Sequence, residues 1–217
     1  PDSSLLPYFK FGCNLVECCK ALNRKAPLIL ESCLSYLQSH RKEEGLFRVS
    51  GSQADISELR AAFEAGQDPL GSGKVRPAPE AVASLLKLYI RMLQEPLIPR
   101  AHYQDFLSIA KITVANEALL ELRKNVHQFL PPEHIHFLQT LLSFLLDVSR
   151  FSSINNMTVS NLALVFGPTI MRTSDSDMNA LLRDSAPIIN IITLMIQNHE
   201  FLFAPQGSRV LFFLKKK

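Results

Sequence analysis

Ile135-His136-Phe137-Leu138-Gln139-Thr140-Leu141-Leu142-Ser143-Phe144-Leu145-Leu146-Asp147-Val148 is apolar on nearly every side when wound as a helix. Such a helix needs neighbours all round, so it predicts the middle of a helical bundle. Pro131-Pro132 before it suits the N-terminal preference of proline. On either side the apolar spacing predicts further helices near 101–110, 115–129, 159–166 and 177–198. Gly167-Pro168 predicts the end of the 159–166 helix, a glycine followed by a residue that cannot continue it. Towards the N-terminus, Pro27 opens a stretch carrying Leu28, Cys33, Leu34 and Leu37, which Arg41-Lys42-Glu43-Glu44 closes. Ser52-x-x-Asp55 reads as a capping box ahead of the apolar face Ile56, Leu59, Ala62 and Phe63. Glycines and prolines from Gly66 to Pro79 mark a loop, and a helix from about Glu80 to Leu93 is stopped by Pro96 and Pro99. The expected fold is all-α, a single helical-bundle domain of about nine helices.

Composition agrees. With 217 residues, 47% of them hydrophobic and 20% charged, the chain can close one core. Only 8 glycines and no tryptophan argue against a many-turned β fold. A net charge of +3 is too mild to demand a long polyanion, so no nucleic-acid partner is expected. Cys13, Cys18, Cys19 and Cys33 include no C-x-x-C pair and predict reduced thiols in a cytosolic core. His134 and His136 point apart on a helix, and no metal site is expected. Neither a Ser-His-Asp order nor a P-loop is present, which leaves a stand-alone enzyme unsupported. No apolar run reaches membrane-spanning length, and Pro1-Asp-Ser-Ser lacks the features of a signal peptide. The expectation is a cytoplasmic, monomeric piece of a longer protein.

Two features do not reduce to core packing. Glu44-Gly45-Leu46-Phe47-Arg48-Val49-Ser50-Gly51 is held between two glycines and two helices. Its apolar residues can anchor the segment, the glycines allow sharp turns, and Arg48 would be presented outward on a rigid base. In the 80–93 helix, Val82, Leu85, Leu86, Tyr89 and Leu93 share one face, while Lys87 and Arg91 stack one turn apart on the other. Such like charges repel by a few tenths of a kcal/mol unless an acidic surface meets them.

At this point three segments, in order, resemble the RhoGAP family: Glu44-Gly-Leu-Phe-Arg-Val-Ser-Gly51; Val82-Ala-Ser-Leu-Leu-Lys-Leu-Tyr-Ile-Arg91 running into Glu95-Pro-Leu97; and Asn155-Asn-Met-Thr158 running into Asn161-Leu-Ala-Leu-Val-Phe-Gly-Pro168. Phe11-Gly12 and the Pro27 helix also look like the start of that domain, so the resemblance covers roughly residues 11–203. Residues 1–10 are then an N-terminal extension and 204–217 a C-terminal tail. The resemblance implies an all-α fold and a GTPase activator, not an enzyme with its own active site. Its partner would be a Rho-family small GTPase (Rac, Cdc42 or Rho). Arg48 matches the family's arginine finger, inserted in trans. Lys87 and Arg91 match the basic pair that steadies the finger loop and faces the GTPase. Asn161 matches an asparagine that contacts the partner, and Pro168 lies in the adjoining contact segment. The chain needs no cofactor of its own, because the partner carries GTP and Mg²⁺. Gln94 stands where the family usually has Pro, which is expected to loosen the turn slightly. Asn156 stands where it usually has Lys, which removes one surface charge.

Two other readings are weighed beside this one. A catalytically weak or inactive GTPase-binding or adaptor module would share the fold, although retention of Arg48 and Asn161 argues against it. The terminal Val210-Leu-Phe-Phe-Leu-Lys-Lys-Lys217 joins an apolar patch to three lysines, a composition able to meet anionic lipid and recruit the chain to membranes. The plainer reading of that segment is a partly ordered or splice-altered terminus.

Overall fold

The computed structural model describes residues 9–71, 76–173 and 178–205, the last segment with side chains from 182. The Val210–Lys217 tail and residues 1–8 of the N-terminal extension lie outside the described residues. Among these residues there are eleven α-helices and no strand. They are α1 (Leu15–Ala21), α2 (Leu28–Leu37), α3 (Gln53–Glu64), α4 (Pro79–Met92), α5 (Tyr103–Ile109), α6 (Ala115–Phe129), α7 (Pro132–Ser149), α8 (Ser152–Asn155), α9 (Val159–Ile170), α10 (Met178–Gln197) and α11 (His199–Phe203).

The apolar stretch behaves as its composition dictates. Phe137, Leu138, Leu141, Leu142, Phe144, Leu145 and Val148 of α7 are all buried, and the helix touches α1, α2, α9, α10 and α11. Each such side chain contributes about 1.5–3 kcal/mol by leaving water. Beside it, α4 packs on α2, α3 and α9, with the expected face Val82, Leu85, Leu86, Tyr89 and Leu93 turned inward. Asn14, Ser52 and Thr158 cap α1, α3 and α9, each side-chain oxygen accepting from backbone N–H groups of the first turn. The four cysteines are buried and unpaired.

Two expectations are corrected. The count of about nine falls short of eleven because α1, α8 and α11, of seven, four and five residues, were not singled out by apolar spacing. The helix expected to end at Phe166 continues to Ile170 with Pro168 inside it. Pro168 sits one turn from the C-terminus, where only the carbonyl of Leu164 loses its helical donor. Gly167 is buried against α10, since a Cβ there would stand 2.9 Å from the Ile188 side chain. The glycine therefore allows close helix approach and does not mark an end.

Two buried polar groups fasten the ends of the bundle. Arg123 of α6 donates to the carbonyls of Phe201, Ala204 and Pro205, closing the C-terminal turn of α11 onto the domain. His134 in the first turn of α7 donates from Nδ1 to the Leu97 carbonyl at 2.9 Å. Burial lowers the His134 pKa below the ordinary histidine range, outweighing the Leu97 carbonyl and the charges of Glu133 and Glu95; His127 is lowered chiefly by burial too. The unfolded chain therefore takes up these protons first, and stability is lost as pH falls below about 6.5. Urea midpoints measured at pH 7.5 and 5.5 should differ, and His134→Gln should narrow the difference. Equal midpoints in the wild type would refute this.

Candidate functional site

The segment between α2 and α3 folds back on itself before Arg48. Gly45 has φ +68°, and its carbonyl accepts from the N–H groups of Arg48 (2.7 Å) and Val49 (2.9 Å). Phe47 adopts φ +73°, a left-handed backbone that an L side chain adopts at a cost of about 1–2 kcal/mol. Its ring is fully buried and meets Phe166 of α9 edge-on at 5.0 Å and Phe144 of α7 at 6.2 Å. Packing thus offsets the strain, and the next side chain, Arg48, is turned out to solvent.

Other segments hold the loop. The Gly45 N–H donates to the Asn155 carbonyl at 2.8 Å. Asn155 is itself buried, its Nδ2 donating to the carbonyls of Arg41 (2.7 Å) and Val148 (2.9 Å) while its Oδ1 accepts from Met157 N–H. Lys87 Nζ donates to the Phe47 carbonyl, and the Gly51 N–H donates to Ser84 Oγ at 3.1 Å. A Cβ on Gly51 would press on Ala81 Cα and stand 2.5 Å from the Ala81 nitrogen, so only glycine lets the loop lie on the first turn of α4.

The basic pair is not a simple solvated ridge. Lys87 is half-buried, and burial first, then the neighbouring Arg91, lower its pKa below the ordinary lysine range. Arg91 is exposed. Both line a cleft of about 310 Å³ between α3, α4 and α9, together with Ser50, Ser84 and Thr169 but no carboxylate. Among the described residues Arg48, Lys87 and Arg91 make no ion pair. On α9, Asn161 is half-buried with Nδ2 donating to the Asn156 carbonyl at 2.9 Å, and Pro168 is exposed. Lys87 and Arg91 thus share a cleft with Val165 and Thr169 of α9, and Lys87 reaches the carbonyl of Phe47, the residue before Arg48.

Sequence reasoning missed two exposed apolar residues beside these positions. Leu164, 58% exposed, stands between Asn161 and Pro168, and Val49, 46% exposed, flanks Arg48. Both sit in apolar runs that read as core, so only a contact map could set them apart. Gln94 corrects another expectation. Its N–H donates to the Cys13 carbonyl at 3.1 Å, a bond that proline would forgo, so the turn after α4 is tied and not loosened.

The all-helical bundle is the fold expected of the RhoGAP domain. The family model for that domain matches residues 27–175, and the chain belongs to the RhoGAP family. Rho GTPase-activating protein 24 of Homo sapiens is 40% identical over 184 residues, 83% of this chain and 24% of that protein. Rho GTPase-activating protein 22 of Mus musculus is 38% identical, again over 83% of this chain and 26% of its own length. The chain thus spans about a quarter of these curated relatives. Among solved structures, human Rho GTPase activating protein 15 superposes with a TM-score of 0.80 at 24% identity, over 89% of this chain and 92% of the other, a likeness of fold. The BH domain from GRAF, the GTPase regulator associated with focal adhesion kinase, gives a TM-score of 0.72 at 27% identity, over 83% and 95%.

Proposed function

We propose that this domain accelerates GTP hydrolysis on a Rho-type small GTPase (Rac, Cdc42 or Rho) by inserting Arg48 into the partner's active site. The observation that carries this reading is an exposed arginine that makes no ion pair among the described residues, on a loop fastened to α4 and to the α8–α9 turn. Hydrolysis builds negative charge on the γ-phosphate oxygens and the leaving oxygen. A planar, permanently charged guanidinium supplies donors to both where water has been expelled. GTP and Mg²⁺ belong to the partner. This chain contributes the finger, its rigid base, and a face on which Lys87, Arg91, Asn161 and Pro168 receive the GTPase. The unpaired cations around the cleft suit an acidic partner surface, with the apolar Leu164 and Val49 at its edges.

The test is single-turnover hydrolysis on purified Rac, Cdc42 and Rho. Acceleration of at least one is expected, and Lys87→Ala or Arg91→Ala should weaken the interaction and reduce its sensitivity to salt, as removal of interface cations does. No acceleration on any of the three would defeat the proposal. A catalytically silent docking module would instead bind the GTPases without an Arg48-dependent gain in affinity when GDP plus aluminium fluoride mimics the transition state.

A further inference from the structure

We infer that Asn156 is a positioning residue that ties the base of the Arg48 loop to Asn161, keeping the two halves of the proposed GTPase face in one placement; this rests on the proposed role of Arg48. The residue touches both halves at once. Its side-chain Nδ2 donates to Glu44 Oε1 at 3.0 Å, immediately before Gly45. Its main-chain carbonyl accepts from Asn161 Nδ2 at 2.9 Å. Between them, the preceding carbonyl, that of Asn155, accepts from the Gly45 N–H.

Backbone geometry explains why this residue type serves. Asn156 ends α8 at φ +58°, ψ +21°, the left-handed region that asparagine enters more readily than other side chains do. That turn aims one carbonyl at α9 while the short amide side chain reaches back to Glu44. Asn155 anchors the dipeptide to the core, and Asn156 carries the anchorage outward. With its Nδ2 engaged, Asn161 has its amide plane fixed, which leaves Oδ1 as the acceptor for a partner donor. A lysine at 156 would replace the amide-to-carboxylate hydrogen bond to Glu44 by an ion pair and add a cation to the rim. The asparagine adds no charge of its own, so the link should depend on salt less than an ion pair would.

The decisive variants are Asn156→Asp and the double variant Asn156→Asp/Glu44→Gln. Aspartate tolerates the left-handed backbone and keeps the carbonyl, but it sets a like charge against Glu44. The double variant restores the bond with donor and acceptor exchanged. For Asn156→Asp, kcat on a responsive GTPase should fall about 5- to 10-fold, the worth of one hydrogen bond. The melting temperature should move by no more than about 2 °C, as for a surface substitution that leaves the core intact. In the free protein, hydrogen exchange at the Gly45 amide should accelerate by about the same 5- to 10-fold. The double variant should return kcat and exchange to within about twofold of wild type, well inside the worth of that bond. A rim charge acting only on encounter would move KM and salt dependence and leave kcat alone. That result, or a lowered melting temperature with kcat and exchange unchanged, overturns the inference, as does failure of the double variant to restore exchange. Should the wild type accelerate no GTPase, the proposed function fails, while Gly45 exchange still decides the link.

Discussion

Arg48→Ala should lower the single-turnover rate of GTP hydrolysis on a responsive Rho-type GTPase by about 10³- to 10⁵-fold, while binding of the GTPase largely survives. At 1.36 kcal/mol per decade this corresponds to roughly 4–7 kcal/mol of lost transition-state stabilisation. The separation of rate from binding follows from the loop. Arg48 is exposed, whereas the contacts that hold the loop are made by Gly45, Phe47 and Gly51 and do not involve its side chain. Truncation therefore removes the guanidinium and leaves its mounting, so circular dichroism and melting temperature should match wild type. Arg48→Lys should recover little, because an ammonium is a point charge that cannot bridge two oxygens. If Arg48→Ala retained wild-type rates, hydrolysis would have to be stimulated by other means, and the trans-arginine mechanism would be abandoned.

Phe47→Ala should be the most damaging single change to stability near the site, at about 3–5 kcal/mol. With about 2–4 °C of melting temperature per kcal/mol in a chain of this size, the expected drop is roughly 6–20 °C. Three physical terms coincide. The ring is fully buried between Phe144 and Phe166, so its loss opens a cavity at the junction of α7 and α9. Edge-to-face pairing adds about 0.5–1.5 kcal/mol beyond area for an aromatic pair of this kind. Alanine keeps the Cβ that makes φ +73° unfavourable, so the backbone strain persists without the packing that offset it. The residue before the finger would then be free to relax, and stimulation of hydrolysis should fall alongside stability even below the melting transition. Thermal and urea unfolding with a hydrolysis assay at 15 °C would check both parts. A variant within 1 kcal/mol of wild type (on the order of the smallest core truncations) would mean that Phe47 is not the anchor of the loop.

The parts of this molecule legible in the chain are those where one residue type repeats with a helical period. Both α7 and the inward face of α4 could be predicted because burial on them is set by spacing alone. Short helices such as α8 carry no period, and Pro168 misled because a proline near a helix C-terminus costs only one donor, which local rules count as a stop. For the candidate site, Arg48, Lys87 and Arg91 stood out locally, on a glycine-bounded segment and a cationic ridge, whereas Asn161 and Pro168 were reached only through resemblance. What holds them was legible only in the steadying of the loop by the basic pair that the resemblance implies; the contacts themselves were not. The positive φ of Phe47, the burial of Asn155, the reach of Lys87 to a carbonyl forty positions away, and the exposure of Leu164 all depend on which segments meet in space. Arg123 makes the same point: it reads as a surface cation but caps α11 from inside.

The attachments of the 45–51 loop bear on how an encounter would feel to a calorimeter. A segment already pinned at Gly45, Phe47 and Gly51 has surrendered its freedom during folding, so little further ordering accompanies docking. This side of the contact would then bring no disorder-to-order transition, and its loop should add no surplus from chain ordering to the heat-capacity change. Such a loop trades adaptability for preorganisation: any adjustment of shape on docking falls to the partner.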